Sequence, residues 1–257
     1  MRVLEWNIWL GGRDPENLAM TTELIASLDP DVFLSIETYG AAERILAALP
    51  GHTGVRVTSG PRDNLWIFTR LPITHVYGKP HGTLVDDFRF GGLRAELPEG
   101  GEASFFVTWL SFTEPWLGDL VADKAPWEQV LAAEERQHAE ITDILEHQLP
   151  ALLGEHDGPV ILGGDFNALS TSDWPGLRTT EVMTGAGYTD TFRAMSGDPG
   201  HTWSTQPDRA HIPIPERIDY VFAKGLAPKA SFTVSERLPG HPEGPFYSDH
   251  AALVTDF

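Results

Sequence analysis

Short apolar runs broken at their ends by a carboxylate or an amide set the pattern of this chain. "RVLEWNIWL" has strand composition interrupted by polar residues. "DPENLAMTTELIASLDPD" spaces Leu18, Leu24, Ile25 and Leu28 for one buried face, with Asp14 as N-cap and Pro15 in the first turn, and predicts a helix. "DVFLSIE" predicts a strand ending in Glu37, and "GAAERILAALP" a short helix closed by Pro50. The runs "GVRVTS", "NLWIFT", "ITHVYG", "LRAEL" and "SFFVTWLSF" predict strands, separated by turn residues such as "SGPRDN", "RLP" and "PEGG". A long helix is predicted from Pro126 to His147. Val130, Ile141, Ile144 and Leu145 lie near its apolar stripe, and "AAEERQHAE" reads as its solvated face. "PVILGGDFNA" predicts a strand running into a loop and "SDWPGLRTTEVMTGAGY" a short helix. "ERIDYVFAKG", "KASFTVSERL" and "HAALVTDF" predict the last strands. The stretch from Gly197 to Pro215 is rich in Pro and His and has no periodicity, as in functional or disordered loops.

No repeat period and no linker interrupt the chain, so residues 1–257 are expected to form one domain. Strands in runs, with helices between some of them, predict an α/β protein with two mostly antiparallel sheets stacked face to face and helices outside. Composition changes the picture in three ways. A hydrophobic fraction of 41% supports a core that needs no disulfide or metal to fold. The lack of cysteine excludes disulfides, thiolate metal sites and cysteine nucleophiles together. A net charge of −19, with 37 acidic against 18 basic residues and no basic run, argues against long nucleic acid and against a polybasic membrane surface. The N-terminus lacks the apolar core of a signal peptide, and no stretch approaches the roughly 20 apolar residues of a membrane span. The expectation is a soluble, cytoplasmic protein with no membrane insertion and no obligate protein partner.

The polar residues at strand ends carry the chemistry. They are Asn7 in "EWNIWL", Glu37 in "FLSIETYG", Asp165 and Asn167 in "GGDFNA", Asp219 in "RIDYVF", and Asp249 with His250 in "YSDHAAL". Alternate residues of a strand share a face, so Asp165 and Asn167 point the same way. A buried charge is costly unless it is paired or binds metal. Oxygen ligands with one imidazole and no thiolate suit Mg²⁺ or Mn²⁺. Asp165 has the chemistry to take a proton from a water, and Asn167 to donate to a phosphate oxygen. Each residue taken singly also has an ordinary role: a turn former at Asn7, edge charges at Glu37 and Asp219, a capped helix start at "GGDFNA".

Together and in this order, "WNIW", "IET", "GGDFNA", "RIDYVF" and "SDHAAL" resemble the endonuclease/exonuclease/phosphatase superfamily of DNase I-like, metal-dependent phosphoesterases, over essentially the whole chain. That superfamily includes nucleases, abasic-site endonucleases, neutral sphingomyelinases and inositol polyphosphate phosphatases. The resemblance implies a four-layer α/β sandwich and a Mg²⁺ or Mn²⁺ cofactor. It implies Glu37 as main metal ligand with Asn7 and Asp249 beside it, and Asp165 as the base for the attacking water. Asn167 and His250 would contact the scissile phosphate, with Asp219 keeping His250 protonated. The chain departs from the pattern at "VTWLSF", where Trp109 stands at a position often held by His; an indole donates one N–H but is no acid near neutral pH. His201, His211 and His81 are candidate substitutes, Arg89 a candidate phosphate clamp or surface partner of Asp86 or Asp87, and Trp109, Trp116 and Trp203 candidate pocket walls. The implied activity is hydrolysis of a phosphate mono- or diester of a small molecule, nucleotide or lipid head group. A nuclease acting on DNA or RNA is the first alternative, and Trp109 leaves open a non-hydrolytic or binding role.

Overall fold

Each apolar run becomes a strand, and the strands sort into two sheets that bury one another's inner faces. The computed structural model describes residues 1–78, 84–203, 216–235, 238 and 247–257. Strands β1 (Arg2–Asn7), β2 (Val32–Ile36), β3 (Thr53–Arg56) and β4 (Trp66–Thr69) join the late strands β11 (Ala230–Val234) and β12 (Ala252–Asp256) in the order β11-β12-β1-β2-β4-β3. The second sheet has the order β5-β6-β7-β8-β10-β9. It comprises β5 (Ile73–Val76), β6 (Phe90–Glu96), β7 (Glu102–Trp109), β8 (Val160–Asp165), β9 (Thr189–Asp190) and β10 (Asp219–Lys224). Most neighbours are antiparallel, but β1–β2 and β7–β8 are parallel, so both sheets are mixed. A parallel pair needs a long crossover. The first is made by a distorted turn α1 (Trp9–Gly12) and α2 (Pro15–Leu28). The second is made by α4 (Leu117–Ala122), α5 (Trp127–Asp143), a π-helical turn (Ile144–Gln148) and α6 (Leu149–Leu153).

The side-chain period of two sorts every strand between layers. Val3, Leu34, Phe105, Val107, Ile161, Val221 and Leu253 fill the space between the sheets. Leu4, Trp6, Phe33 and Val254 face outward and pack with Ile25 of α2 and Ile45 of α3 (Ala42–Ala48). On the far side, Phe106, Leu162 and Phe222 meet Ile141 and Ile144. Two short helices, α7 (Thr179–Gly185) and α8 (Thr191–Met195), complete the cover. The result is the four-layer sandwich expected from the sequence. Helix α2 starts as its sequence dictates: Asp14 accepts from the N–H groups of Glu16 and Asn17 at 3.1 and 2.9 Å, with Pro15 in the first turn. Among the described residues no helix is long and apolar enough to cross a membrane.

Three expectations need correction. The first strand stops at Asn7, and Trp9 and Leu10 turn back with positive φ of 53° and 50°. The helix predicted to end at His147 continues through its π-helical turn, with Pro150 in the first turn of α6. Its "EERQ" side is also not a solvated face, because Glu134, Gln137 and Glu140 are fully buried. Their acceptors and donors are needed inside. Glu134 accepts from the Arg178 and Thr179 N–H groups at the start of α7, and Glu140 accepts from Ser111 N–H at 2.7 Å. Gln137 donates to the carbonyls of Ser111 and Asn167 at 2.8 and 3.1 Å. The helix buries a polar seam because it packs over loops, whose backbone groups must be paired.

Candidate active site

Strand register brings the strand-end residues abreast. Trp109 on β7 is directly opposite Asp165 on β8, and Asp165 is directly opposite Asp219 on β10. All three share the inner-face phase of Val107, Ile161 and Val221, so they meet at one end of the inter-sheet layer. Asn7, in phase with Val3 and Glu5 on β1, faces them from the other sheet. The two glycines before Asp165 allow this approach. A Cβ on Gly163 would stand 2.7 Å from Leu34 Cδ1 and 3.2 Å from Glu5 Cγ, and one on Gly164 would run into the Thr108 carbonyl.

Asp165 is the centre of the cluster. Its Oδ1 accepts from the Asn167 N–H at 2.9 Å, and its Oδ2 accepts from Asn7 Nδ2 and from Trp109 Nε1, each at 3.2 Å. His250 Nε2 is 3.9 Å from the same Oδ2, while its Nδ1 donates to Asp219 Oδ2 at 2.8 Å. Asn7 Nδ2 also reaches Glu37 Oε1 at 3.2 Å, and Glu37 Oε2 accepts from the Leu10 N–H at 2.9 Å. Glu37 lies one residue beyond β2 with a φ of 56°, a left-handed conformation that costs energy in a non-glycine residue. The Asn64 side chain holds its N–H at 3.0 Å. Asn167 is likewise left-handed (φ 45°), with its side-chain NH₂ on the Leu110 carbonyl at 2.9 Å. Ser248 fixes the Asp249–His250 loop by donating to the Asn7 carbonyl at 2.7 Å.

Burial sets the electrostatics. Burial and the neighbouring Asp219 push the Asp165 carboxyl up to about 7, against the pull of His250, the Asn167 N–H and Asn7. Burial opposes charge on His250, but Asp219 and Asp165 outweigh it, and its pKa stands well above the ordinary imidazole value. Beneath them Glu5 is fully buried among Asp219 and Asp165, and burial raises its carboxyl well above the usual range.

The sequence matches the Endonuclease/Exonuclease/phosphatase family across residues 4–250. The chain belongs to that family. An uncharacterized protein of Caenorhabditis elegans is 28% identical over 292 aligned positions, covering 100% of this chain and 91% of its own. Among solved structures, a mannosyl-6-phosphatase of Bacteroides thetaiotaomicron has a TM-score of 0.75 at 16% identity, covering 100% of this chain and 98% of that one. TDP2 of D. rerio, solved with a single-strand DNA product, has a TM-score of 0.70 at 16% identity, covering 99% and 97%. At such identities the two structures share the fold of this family member.

Seven residues singled out in the sequence, Asn7, Glu37, Trp109, Asp165, Asn167, Asp249 and His250, line one cleft of about 570 Å³, together with Trp116 and Trp203. Asp219 stands behind them, on His250. Arg89 is not in the lining: its guanidinium pairs with the buried Glu140 at 2.9 Å and with Ser111 rather than with Asp86 or Asp87. His201 opens onto a separate cavity with Asp173, Arg193 and Arg217, where burial lowers its pKa. His81 and His211 lie outside the described residues. The outer wall of Phe112, Glu114, Pro115 and Asp119 was not foreseen. Its signal was present in "SFTEPW", an aromatic loop too long for a tight turn directly after a strand that ends in the site.

Enzymes of this family use divalent metals, and the donor set here fits a hard cation. The cleft offers carboxylate and amide oxygens, and no Lys or Arg among its described residues occupies the place of a cation. Asp165, Asp219 and His250 bring ligand atoms within 4.8 Å of one another. Within that trio His250 Nδ1 is engaged by Asp219, which leaves Nε2, 3.9 Å from Asp165 Oδ2, as its atom toward the cleft. Glu37, bridged to Asp165 by the Asn7 amide, adds a further carboxylate to the cleft.

Proposed function

We propose that this family member is a divalent-metal-dependent phosphoesterase in which Asp165 activates the attacking water. The observation that carries this reading is the setting of Asp165: buried at the floor of the cleft, fixed by three donors, and with a pKa of about 7. A base poised near neutrality is matched to removing a proton from water. The water oxygen attacks phosphorus, its proton passes to Asp165, and the ester P–O bond breaks with its electron pair on the departing oxygen. His250, kept cationic by Asp219, donates from Nε2 to a phosphoryl oxygen as charge builds there, and Asn167 stands beside it in the lining. Glu37 would hold the divalent metal, with the Asn7 side chain fixing its carboxylate through Nδ2, and the metal would supply charge neutralisation for the phosphate. The Trp109 indole N–H is engaged by Asp165. It therefore steadies the base and leaves protonation of the leaving oxygen to solvent or to the substrate's own acidity.

The acidic lining, with no Lys or Arg among its described residues, supports a small phosphate ester over a long polyanion. The test is a panel of aryl phosphates, bis-aryl phosphates, nucleotides, sugar phosphates, a phosphocholine lipid and plasmid DNA, each with Mg²⁺, Mn²⁺ or chelator. Turnover of a small ester that needs metal, responds mildly to salt and is lost in Asp165→Asn is expected. Activity confined to DNA and collapsing with salt would replace this reading by a nuclease.

A further inference from the structure

The place of Glu37 in the cleft is set by residues that do not line it. Continuing the β2–β4 register, in which Ser35 is opposite Trp66, brings Asn64 opposite Glu37. There the chain turns off the ladder: Glu37, Tyr39 and Gly40 have positive φ of 56°, 35° and 87°. Two of the three are not glycine, and the left-handed region costs them energy. Four consecutive N–H groups of this turn are taken up by two residues. Asn64 accepts from Glu37 through Oδ1 and from Thr38 through its carbonyl, each at 3.0 Å. Asp63 accepts from Tyr39 through its carbonyl and from Gly40 through Oδ2, each at 2.9 Å. Asp63 is pinned in turn by the Trp66 indole N–H and by Arg56 at 3.6 Å. Asn64 is fully buried, and its Nδ2 donates at 2.8 Å to the carbonyl of Phe88, on the approach to β6 in the other sheet. The Phe88 ring lies tilted against Trp109 with centroids 5.9 Å apart.

We propose that Asn64 is a positioning residue that sets the Glu37 carboxylate for a divalent metal before the metal arrives. The inference rests on the reading of Glu37 as the metal's holder. The position calls for an amide, which presents an acceptor and a donor from one side chain and stays neutral at any pH. An aspartate would meet the Phe88 carbonyl with a second acceptor. An apolar side chain would leave a buried N–H and a buried C=O without partners. Through Asn64 the backbone of Glu37 is tied to both sheets, while its carboxylate is held at Oε1 by Asn7 and at Oε2 by the Leu10 N–H. A ligand fixed in this way has little freedom left to lose when an ion binds. Partners that orient a metal ligand without touching the ion commonly change affinity by about tenfold or more. The same side chain spans the gap between Glu37 and the Phe88–Trp109 pair, whose indole donates to Asp165.

The test is Mn²⁺ affinity by calorimetry on the full chain, with circular dichroism showing the fold retained. Asn64→Ala is expected to bind Mn²⁺ about tenfold more weakly than wild type. In the Glu37→Gln background the same substitution is expected to change affinity by less than about twofold, because the ligand it positions is already weakened. A general loosening of the fold would lower affinity in both backgrounds alike. That result overturns the proposal, as does an unchanged affinity in Asn64→Ala. Amide exchange of the wild type needs no variant to fold. The N–H groups of Glu37 to Gly40 are expected to be protected in chelator and to gain less than about threefold with Mn²⁺. Protection that appears only with Mn²⁺ would mean that the ion, and not Asn64, arranges the turn. Turnover of 4-nitrophenyl phosphate is read separately. Turnover that needs Mn²⁺ and Glu37, with affinity unchanged in Asn64→Ala, removes the role of Asn64 alone. Affinities as expected with no turnover of any ester remove the catalytic reading and leave that role standing.

Discussion

His250 Nδ1 lies 2.8 Å from Asp219 Oδ2, with the imidazole in the cleft lining and the carboxylate sealed behind it. The contact orients the ring so that Nε2 faces Asp165, and it keeps the ring protonated. The sign follows from the raised pKa of His250. The pair's contribution to stability is complete below the ordinary histidine value of about 6.5 and is lost as pH rises through the elevated native value. Asp219→Asn removes the negative charge at nearly constant shape. Its kcat is expected to fall by about 10²–10⁴. The alkaline limb of its pH–rate profile should move to lower pH. A variant profile that superimposes on the wild type after scaling would show that Asp219 does not set the charge on His250.

Asp165 must be ionised to accept a proton, so activity is expected to rise with pH through about 7 at limiting metal. A divalent cation favours the carboxylate, and the limb should shift to lower pH as Mg²⁺ is raised. Asp165→Asn should cost roughly 10²–10⁴ in kcat with little change in KM. The measurement is a set of pH–rate curves at two metal concentrations. A limb that stays fixed when metal is raised would separate it from Asp165.

Trp109 tests the departure from the family pattern directly. Its indole N–H is one of the donors that keep the Asp165 charge tolerable. Trp109→Phe leaves a ring in place and removes that donor, and loss of one hydrogen bond to a charged group corresponds to about 1.5–3 kcal/mol. The acid limb of kcat/KM is therefore expected to move to higher pH. If Trp109 instead serves only as a wall for substrate, KM rises and the limb stays where it is.

The β-framework and the inner half of the site were legible for one reason. A carboxylate or amide ending a buried apolar run stands out against the burial around it, as Asp165 and Asp219 do. The outer wall was not legible, because Phe112 and Glu114 sit on a loop with no period to assign them a side, and Asp119 sits in α4, a helix of six residues that is too short to show one. The polar seam of α5 was misread for the opposite reason: the helical stripe rule sends Glu134, Gln137 and Glu140 to solvent. It carries no information about the unpaired backbone N–H groups of Ser111, Arg178 and Thr179 that draw the two carboxylates inward. Arg89 follows from the same seam, because a buried Glu140 needs a cation, and that need places the guanidinium behind the site instead of in it.

In the proposed reaction Glu37 would be the residue that ties activity to metal. Glu37→Gln keeps the shape and the Asn7 contact but halves the oxygen-donor capacity and removes the charge. Mn²⁺ affinity, measured by calorimetry, is expected to fall by at least about tenfold. Activity should be partly recovered at high Mn²⁺, since mass action offsets weaker binding. Unchanged affinity in this variant would point to the Asp165–Asp219–His250 trio as the holder of the ion.

Glu5 makes the last prediction, because nothing in the proposed reaction uses it. It lies on the inner face of β1, fully buried, with both carboxyl oxygens lacking a hydrogen-bond partner and with Asp219 and Asp165 near. A carboxyl so placed holds its proton in the native state, since burial and two like charges both disfavour ionisation. The unfolded chain loses that proton near the ordinary glutamate value of about 4.3. Between that value and the raised native one, the native state binds the extra proton, so stability falls as pH rises across the window, by at most about 1.4 kcal/mol per pH unit. Glu5→Gln mimics the neutral acid and has no proton to lose. In chelator, wild type is therefore expected to lose roughly 3–6 °C in Tm per pH unit above about 4.3. The variant should be flatter over the same range and more stable than wild type near pH 8. If the two Tm curves run parallel from pH 5 to 8, Glu5 is ionised in the folded protein and the floor of the cleft carries one more negative charge than this structure implies.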